Sequence, residues 1–184
     1  MCIRDRITTN DAELAQRLKM LRVHGCQKKY VYEALGINSR LDALQAAILR
    51  VKLRHLETWT RERQNNAARY QSLFAEYGLK KCLQAPACPA NRVHVYNQYV
   101  IRTPEREPLR KHLQRAGIPT EIYYPSSLHQ ERAYEYLGHK AGDFPESELA
   151  SREVLALPIF AELTEEQQPT VVEAIASFFA AQSR

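Results

Sequence analysis

The stretch from Gly36 to Leu49, GINSRLDALQAAIL, places a polar turn directly before a long segment of apolar periodicity. Asn38 carries an amide donor, and Arg40 carries the fork of guanidinium N–H groups that suits phosphate or carboxylate. Ser39 lies three residues before Asp42, a variant of the capping box that starts helices. The pattern therefore fits either a simple helix cap or an anion site at a helix N-terminus.

A second candidate site lies in EIYYPSSLH, where Tyr123 and Tyr124 end a predicted strand and His129 follows in a loop. Strand ends that lead into loops are common places for binding groups. The alternative is that one tyrosine packs in the core while the other is partly exposed, and that His129 has no catalytic duty.

A third candidate is a basic cluster around Gly25, which we predict to end a helix. Its members are Arg22, His24, Lys28, Lys29 and Tyr30. These residues fit an anionic ligand, or else positive charge that complements the C-terminal end of a helix dipole.

The common nucleotide-binding, zinc-protease and serine-hydrolase motifs are missing, so no complete catalytic set and no metal site is predicted. No two of the four cysteines have C-x-x-C spacing, which is typical of the reduced cysteines of a cytoplasmic protein. No apolar run approaches the roughly 20 residues that span a bilayer, and no signal peptide is visible. We therefore expect a cytoplasmic protein without a membrane partner.

The bulk composition is that of a globular chain with a mild basic excess. Its 184 residues suit one domain, or one small domain plus part of another. Lys and Arg number 26 against 21 Asp and Glu, a net charge of +5 that fits a protein handling anionic small molecules. Many proteins without an anionic partner have the same balance, so charge alone does not assign a function.

The first half of the chain is predicted to be mostly helical. After a strand end near residues 7–9, a helix capped by Asn10 or Asp11 is followed by one or two long helices over residues 41–77. Two adjacent apolar stripes on the long segment predict burial between domains or subunits. The remaining arc is basic, which is typical of a solvated face but leaves nucleic-acid binding as an alternative.

The sequence pattern of the second half of the chain predicts a small α/β domain in which helices cover a short sheet. The predicted elements are a strand over 93–102, a helix from 104–108 to Gly117, a strand over Ile118–Pro125, a helix from Pro145 to about Leu155, and a last helix. The last helix has Thr164 and Gln167 in capping-box spacing, and it either starts at Pro169 or kinks there.

Six blocks of the sequence resemble, in order and spacing, the DegT/DnrJ/StrS family of sugar aminotransferases that depend on pyridoxal 5′-phosphate (PLP). The blocks are TTNDAELAQRLKMLRVHG, GINSRLDALQAAILRVKL, HVYNQYVIR, GIPTEIYYPSSLH, GDFPESELASREVLALPIF and LTEEQQPTVVEAI. They cover about Ile7 to Phe179, and the N-x-R-x-D-x-x-Q-A-A pattern is the most specific.

The resemblance implies an α/β fold, the C-terminal part of a fold-type-I enzyme of the aspartate aminotransferase kind, with a long helix followed by a small α/β domain. It implies that residues 1–41 are a remnant of the large PLP-binding domain, with residues 1–6 artefactual. Residues 42–77 would be a connecting helical region and residues 78–184 the small domain. It also implies a homodimer with shared active sites.

The implied reaction moves an amino group from an amino acid, usually glutamate, to a keto sugar attached to a nucleotide, in cell-surface polysaccharide or related sugar biosynthesis. By position, Asn38 matches a residue that binds the cofactor phosphate in the neighbouring subunit, and Arg40 matches a substrate contact across the subunits. Tyr123 and Tyr124 match a substrate-binding pair that is often His-Tyr. His129 matches a histidine that follows this pair, and the resemblance implies that it too binds substrate.

The family's Schiff-base lysine lies a little upstream of the TTND block. Here only seven residues precede Thr8, and none is a lysine, so no catalytic residue is assigned and the chain alone is expected to be inactive. One alternative is a non-catalytic interaction module whose basic helix binds nucleic acid or a protein partner. Another is a regulatory family member that does not transaminate.

Overall fold

The computed structural model describes residues 7–182, which divide into two compact units that meet in sequence between His55 and Leu56. This boundary lies inside the connecting region predicted for residues 42–77. The assignment of the parts to a large-domain remnant and a small domain stays a prediction. Residues 1–6, predicted to be artefactual, lie outside the described residues.

The first unit begins with helix α1, Ala12–Leu21. Asp11 caps it, because one carboxylate oxygen accepts the N–H groups of Glu13 and Leu14 at 2.9 and 3.0 Å. This confirms one of the two predicted caps. The strand end predicted near residues 7–9 is wrong, since Thr9 Oγ1 accepts the Asp11 N–H and forms a local turn that leads directly into the helix.

A short antiparallel hairpin follows, made of β1, Cys26–Lys28, and β2, Val31–Tyr32. The chain then enters helix α2, Ala43–Leu53, whose cap is Asp42 because its carboxylate accepts the Leu44 N–H at 2.9 Å. The predicted role of Ser39 as the cap is wrong. Asp42 adjoins the first helical residue, whereas Ser39 lies three residues further out.

Helix α3, Leu56–Glu76, opens the second unit, so the predicted helical region consists of two helices. The apolar stripes of residues 41–77 were predicted to be buried, and within this chain only part of them is. Helix α3 buries Ala67, Tyr70 and Phe74, while α2 buries no residue. The stripe positions on and before α2 are exposed: Leu41, Leu44, Ile48 and Val51.

The second unit contains a short sheet, as predicted for an α/β domain, and its two strands are antiparallel. Strand β3, Tyr99–Arg102, pairs with β4, Val154–Leu157, so that Tyr99 lies opposite Leu157. Single-residue bridges extend the sheet on both sides, from Gln84 to Arg102 and from Glu121 to Ala156. The sheet therefore fixes four separate parts of the chain.

The predicted strands at 93–102 and 118–125 are wrong in extent. The first is limited to β3, because Tyr96 has a φ of +46° and donates its N–H to His94 Nδ1 at 2.8 Å instead of to a neighbouring strand. The second is reduced to the bridge at Glu121. Strand β4 was not predicted, because the sequence predicted that a helix continues to about Leu155. Helix α5, Pro145–Glu153, ends two residues earlier, and β4 starts with the next residue.

Helices α4, Arg106–Arg115, and α6, Gln167–Gln182, complete the unit and pack on each other. Helix α4 and its end before Gly117 were predicted. Helix α6 starts two residues before Pro169, which then lies in the first turn, where a missing N–H costs no helical hydrogen bond. The Thr164 N–H donates to Gln167 Oε1 at 3.0 Å, one half of the predicted capping box.

The core of the second unit lies between its sheet and helices α3, α4 and α6. Large side chains that are fully buried there are Tyr70, Phe74, Tyr99, Ile101, Leu109, Leu113, Leu155, Val172 and Ile175. Within residues 7–182, no helix is both long and apolar enough to cross a membrane.

Candidate functional site

Residues 38–40 are here called the 38–40 turn, and backbone hydrogen bonds of Ile37 and Ser39 attach this part of the chain to the end of α1. The bonds are His24 N–H to Ile37 O at 3.0 Å, Ile37 N–H to Leu21 O at 2.8 Å, and Ser39 N–H to Arg22 O at 2.9 Å. Val23 and Asn38 also form an antiparallel bridge. The backbone that carries Asn38 is therefore held by its neighbours on both sides, although the turn lies at the surface.

Two glycines make this attachment possible. A Cβ on Gly36 would lie 2.2 Å from the Gly25 nitrogen and 2.5 Å from the Leu21 oxygen. A Cβ on Gly25 would lie 1.8 Å from the Ala34 oxygen, and the φ of Gly25 is +76°. Only glycine fits at either position, because backbone atoms occupy the space that a side chain would need.

The side chains of Asn38 and Arg40 are exposed and contact each other. Arg40 Nε donates to Asn38 Oδ1 at 3.1 Å, which orients the guanidinium beside the amide. Asn38 Nδ2 and the two Arg40 Nη groups are further donors on the same two side chains. A phosphate, which offers several acceptor oxygens and negative charge, fits this donor set.

One interpretation of the sequence placed an anion at the N-terminus of α2, and this interpretation stays a prediction. The Asp42 carboxylate accepts the Leu44 N–H there and places its own negative charge at the positive end of the helix dipole. The capped helix end is therefore a less favourable place for an anion than the side-chain donors of Asn38 and Arg40.

The basic cluster around Gly25 is divided between two places. Arg22 is the C-cap of α1, and the Gly25 N–H donates to Met20 O at 3.1 Å, in agreement with the predicted helix stop. Lys28 and Lys29 lie at the tip of the hairpin, where Lys29 Nζ is 5.0 Å from the ring centre of Tyr30. The structure leaves both predicted interpretations of this cluster open.

Tyr123 and Tyr124 lie on a loop just after the bridge at Glu121. Their exposed fractions are 49% and 65%, so the alternative in which one tyrosine packs in the core is wrong. Glu121 Oε1 accepts the Ile122 N–H at 2.9 Å, which ties the start of the loop to the bridge residue. Both side chains are on the surface of this chain, where a ligand can reach them.

His129 has a buried position and a carboxylate partner. Its side chain is 7% exposed, and its Nε2 lies 2.9 Å from Glu148 Oε1. The Gly142 N–H donates to the same oxygen at 2.7 Å, and the His129 ring lies 4.8 Å from that of Phe144. The predicted substrate contact of His129 stays a prediction, but in this structure Nε2 faces Glu148.

The pKa of Glu148 is lowered below that of an ordinary glutamate. The Gly142 N–H is the largest cause, because it stabilises the charged carboxylate. Partial burial acts in the opposite direction, and the nearby His129 lowers the pKa further. The carboxylate is therefore held in its charged form.

The chain matches the sequence profile of the DegT/DnrJ/EryC1/StrS aminotransferase family over residues 6–176. The chain belongs to this family. The match confirms the resemblance predicted from the six blocks, all of which lie within the matched residues.

Relatives in the DegT/DnrJ/EryC1/StrS family are similar to the chain over most of its length. It is 47% identical to the "Pleiotropic regulatory protein" of Geobacillus stearothermophilus, over 94% of this chain and 46% of that protein. It is 40% identical to the dTDP-3-amino-3,4,6-trideoxy-alpha-D-glucose transaminase of Streptomyces venezuelae, over 92% of this chain and 44% of that enzyme. The chain thus spans about half the length of these curated relatives.

A solved structure in this family has the same fold. DesV of S. venezuelae, crystallised with a ketimine intermediate, is 38% identical and superposes with a TM-score of 0.82. The match covers 93% of this chain and 45% of DesV. The predicted α/β fold, that of the C-terminal part of a fold-type-I PLP aminotransferase, is therefore confirmed.

The structure places the family's predicted site residues in separate units. Asn38 and Arg40 lie in the first, and Tyr123, Tyr124 and His129 lie in the second. Within residues 7–182, no group of His, Cys, Asp and Glu side chains could hold a metal ion.

Sequence reasoning missed Glu148 as a partner of His129. Glu148 stands in the first turn of a helix that begins at Pro145, which is readable as a helix start. No spacing rule connects it with a histidine 19 residues earlier, however. The sequence block GDFPESE includes Glu148 but gives no indication that it contacts His129.

Proposed function

We propose that this chain is part of a PLP-dependent aminotransferase that moves an amino group from an amino acid, glutamate, to a keto sugar attached to a nucleotide. The observation that carries the proposal is the 38–40 turn, which holds an amide and a guanidinium side by side on a fixed backbone. The names of relatives support it, since one is a transaminase for a dTDP-linked amino sugar and DesV was crystallised with a ketimine.

Asn38 would hold the cofactor by its phosphate. Its Nδ2 group is a donor beside the positive charge of Arg40, and this set fits a phosphate. When bound, PLP supplies the electron sink that amino transfer requires. The contribution of Asn38 is binding and orientation, and its fixed backbone reduces the entropy lost when the phosphate is bound.

Arg40 and the two tyrosines would contact the substrate. The Nη groups of Arg40 can bind a diphosphate or a sugar carboxylate with two parallel hydrogen bonds. Tyr123 and Tyr124 offer exposed hydroxyl groups and apolar ring faces, which suit the mixed polar and apolar surface of a sugar.

The proposed assembly is a homodimer with shared active sites, in which the 38–40 turn serves the site of the partner subunit. Its support is the apolar surface of α2, where Leu44 is 71% exposed, together with Ile48 and Val51. A row of large apolar side chains on one helix is typical of an interface. We propose that a second copy covers this surface.

Replacing Asn38 tests the proposal. Asn38→Ala in the full-length dimer should raise the PLP dissociation constant about tenfold, the effect of losing one hydrogen bond to a charged group. Equilibrium dialysis of PLP measures it, and circular dichroism should show unchanged helix content. Ser39→Ala is the control, since it changes the neighbouring exposed residue. Equal PLP affinity in all three proteins would contradict the proposed role.

A second candidate function is regulation without amino transfer, favoured by the name of the Geobacillus relative. The two candidates differ in one assay. The full-length protein is incubated with glutamate and a keto sugar linked to dTDP or UDP, and 2-oxoglutarate is measured. Its formation supports the aminotransferase, whereas PLP binding without turnover on either nucleotide series supports a regulator.

A further inference from the structure

A buried acid–histidine pair lies in the second unit, outside the proposed substrate contacts. The side chains of His129 and Glu148 are 7% and 9% exposed, and 2.9 Å separates His129 Nε2 from Glu148 Oε1. A buried carboxylate is costly unless hydrogen-bond donors surround it. Here two donors converge on one oxygen, the His129 ring and the Gly142 N–H.

The pair connects the loop after the tyrosines to the first turn of α5. Beside it, Ser147 Oγ donates to Ser127 Oγ at 3.1 Å, and Ser127 is buried. The Phe144 ring lies 4.8 Å from the His129 ring, so the histidine has both a polar and an apolar neighbour on the same helix start. These contacts anchor the chain at residues 127–129.

A second anchor lies on the other side of the tyrosines. The Ala156 N–H donates to Glu121 O at 2.8 Å, and the Glu121 N–H donates to Ala156 O at 3.2 Å. Tyr123 and Tyr124 thus lie exposed on a short segment, residues 122–126, between an anchor on β4 and an anchor on α5. The two ends of this segment, Ile122 and Ser126, are half-buried. The β4 anchor uses backbone atoms alone, whereas the α5 anchor depends on side chains.

We propose that His129 and Glu148 are positioning residues that fix Tyr123 and Tyr124 for the nucleotide-linked sugar by fastening residues 127–129 to α5. The substrate in this statement rests on the proposed function, whereas the fastening does not. His129 acts through Glu148 and the loop backbone. Loss of the ring removes a donor from a buried carboxylate and opens a space beside Phe144, so the loop loses both contacts at once.

Hydrogen exchange on the 184-residue chain tests the fastening. In His129→Ala, amide exchange of residues 122–130 should become at least about tenfold faster, while the amides of β3 keep their protection. His129→Gln should restore most of the protection, because its amide can donate to Glu148. His112→Ala is the control, since it removes a histidine from α4 that contacts Ser177 and Phe178 elsewhere in the same unit.

Two exchange results would overturn the proposal. One is unchanged exchange of residues 122–130 in His129→Ala. The other is faster exchange throughout the unit, β3 included, because that would show a general structural role and no local fastening.

Kinetics of the full-length enzyme test the consequence for substrate. His129→Ala should raise KM for the keto sugar about tenfold and lower kcat by less than about threefold, since binding geometry and not the chemical step is affected. His129→Gln should restore KM. Equal losses in kcat and kcat/KM would overturn the positioning role. If the unaltered protein transfers no amino group, the proposed function fails, while the exchange result still decides the fastening.

Discussion

Asp42 and Ser39 are both good helix caps by residue type, yet only Asp42 contacts the first turn of α2. The donors Asn38 and Arg40 were predictable, because their chemistry belongs to the side chains themselves. The need for glycine at position 36 was not, since it arises from backbone atoms distant in sequence. Gly25 was predicted only as a helix stop, and its close approach to Ala34 was not predicted. The chemistry of a side chain can therefore be predicted from the sequence, whereas a close contact between distant backbone segments cannot.

The capping assignment predicts unequal effects of two nearby substitutions. Asp42→Ala should destabilise the start of α2 by about 1 kcal/mol, because the Leu44 N–H loses its acceptor. Ser39→Ala should change the stability of this helix turn by less than about 0.5 kcal/mol. Amide exchange of residues 44–46 measures both. A larger effect at Ser39 than at Asp42 would restore the cap that the sequence pattern predicts.

At the scale of elements, helices were predicted well and strands poorly. A helix depends on contacts three and four residues away, so α4 and α6 appear in their own periodicity. A strand depends on a partner elsewhere in the chain. Residues 93–98 have a strand-like composition, but the positive φ of Tyr96 and the bond from its N–H to His94 prevent pairing.

The loop fastened to α5 should be sensitive to acid. The folded-state pKa of Glu148 is lowered, chiefly by the Gly142 N–H, and that of Asp143 is lowered chiefly by the Lys140 N–H. A lowered folded-state pKa stabilises the folded state above the unfolded-state pKa, about 4.3 for glutamate, and this stabilisation is lost as pH falls through the folded-state value.

We therefore expect exchange of residues 126–142, corrected for intrinsic rates, to accelerate below about pH 4.3. Glu148→Gln should remove most of this acceleration, leaving the part due to Asp143. Glu146→Gln, an exposed position on the same helix, is the matched control and should leave the pH profile unchanged. An identical profile in Glu148→Gln and the unaltered chain would contradict the assignment.

At the scale of the whole molecule, the two units differ in how completely they bury their apolar residues. The second unit has a core of its own, while α2 in the first leaves its large apolar side chains exposed. The periodicity of residues 41–53 predicted a buried surface, and the fold of this chain does not bury it. Apolar periodicity in a helix indicates that one face is to be buried, but it does not identify the protein surface that buries this face.

If a second copy covers α2, a charge on its apolar face should prevent association. Ile48→Glu should shift the 184-residue chain from dimer or larger species toward monomer, because association would bury the new charge. Gln45→Glu adds the same charge at an exposed polar position of α2 and should leave the distribution unchanged. Analytical ultracentrifugation over a range of concentrations measures this. A monomer in the unaltered chain at every concentration would contradict the interface.

The contact between Gly25 and Gly36 closes the hairpin at its base, so the 38–40 turn is positioned without help from the hairpin tip. The arm between the two glycines can then change in length or sequence without moving Asn38. Insertions should therefore be tolerated at the hairpin tip, residues 29–30, whereas side chains at the two glycines should not. In evolution, such an arm can acquire new contacts while the residues that the turn presents stay in place.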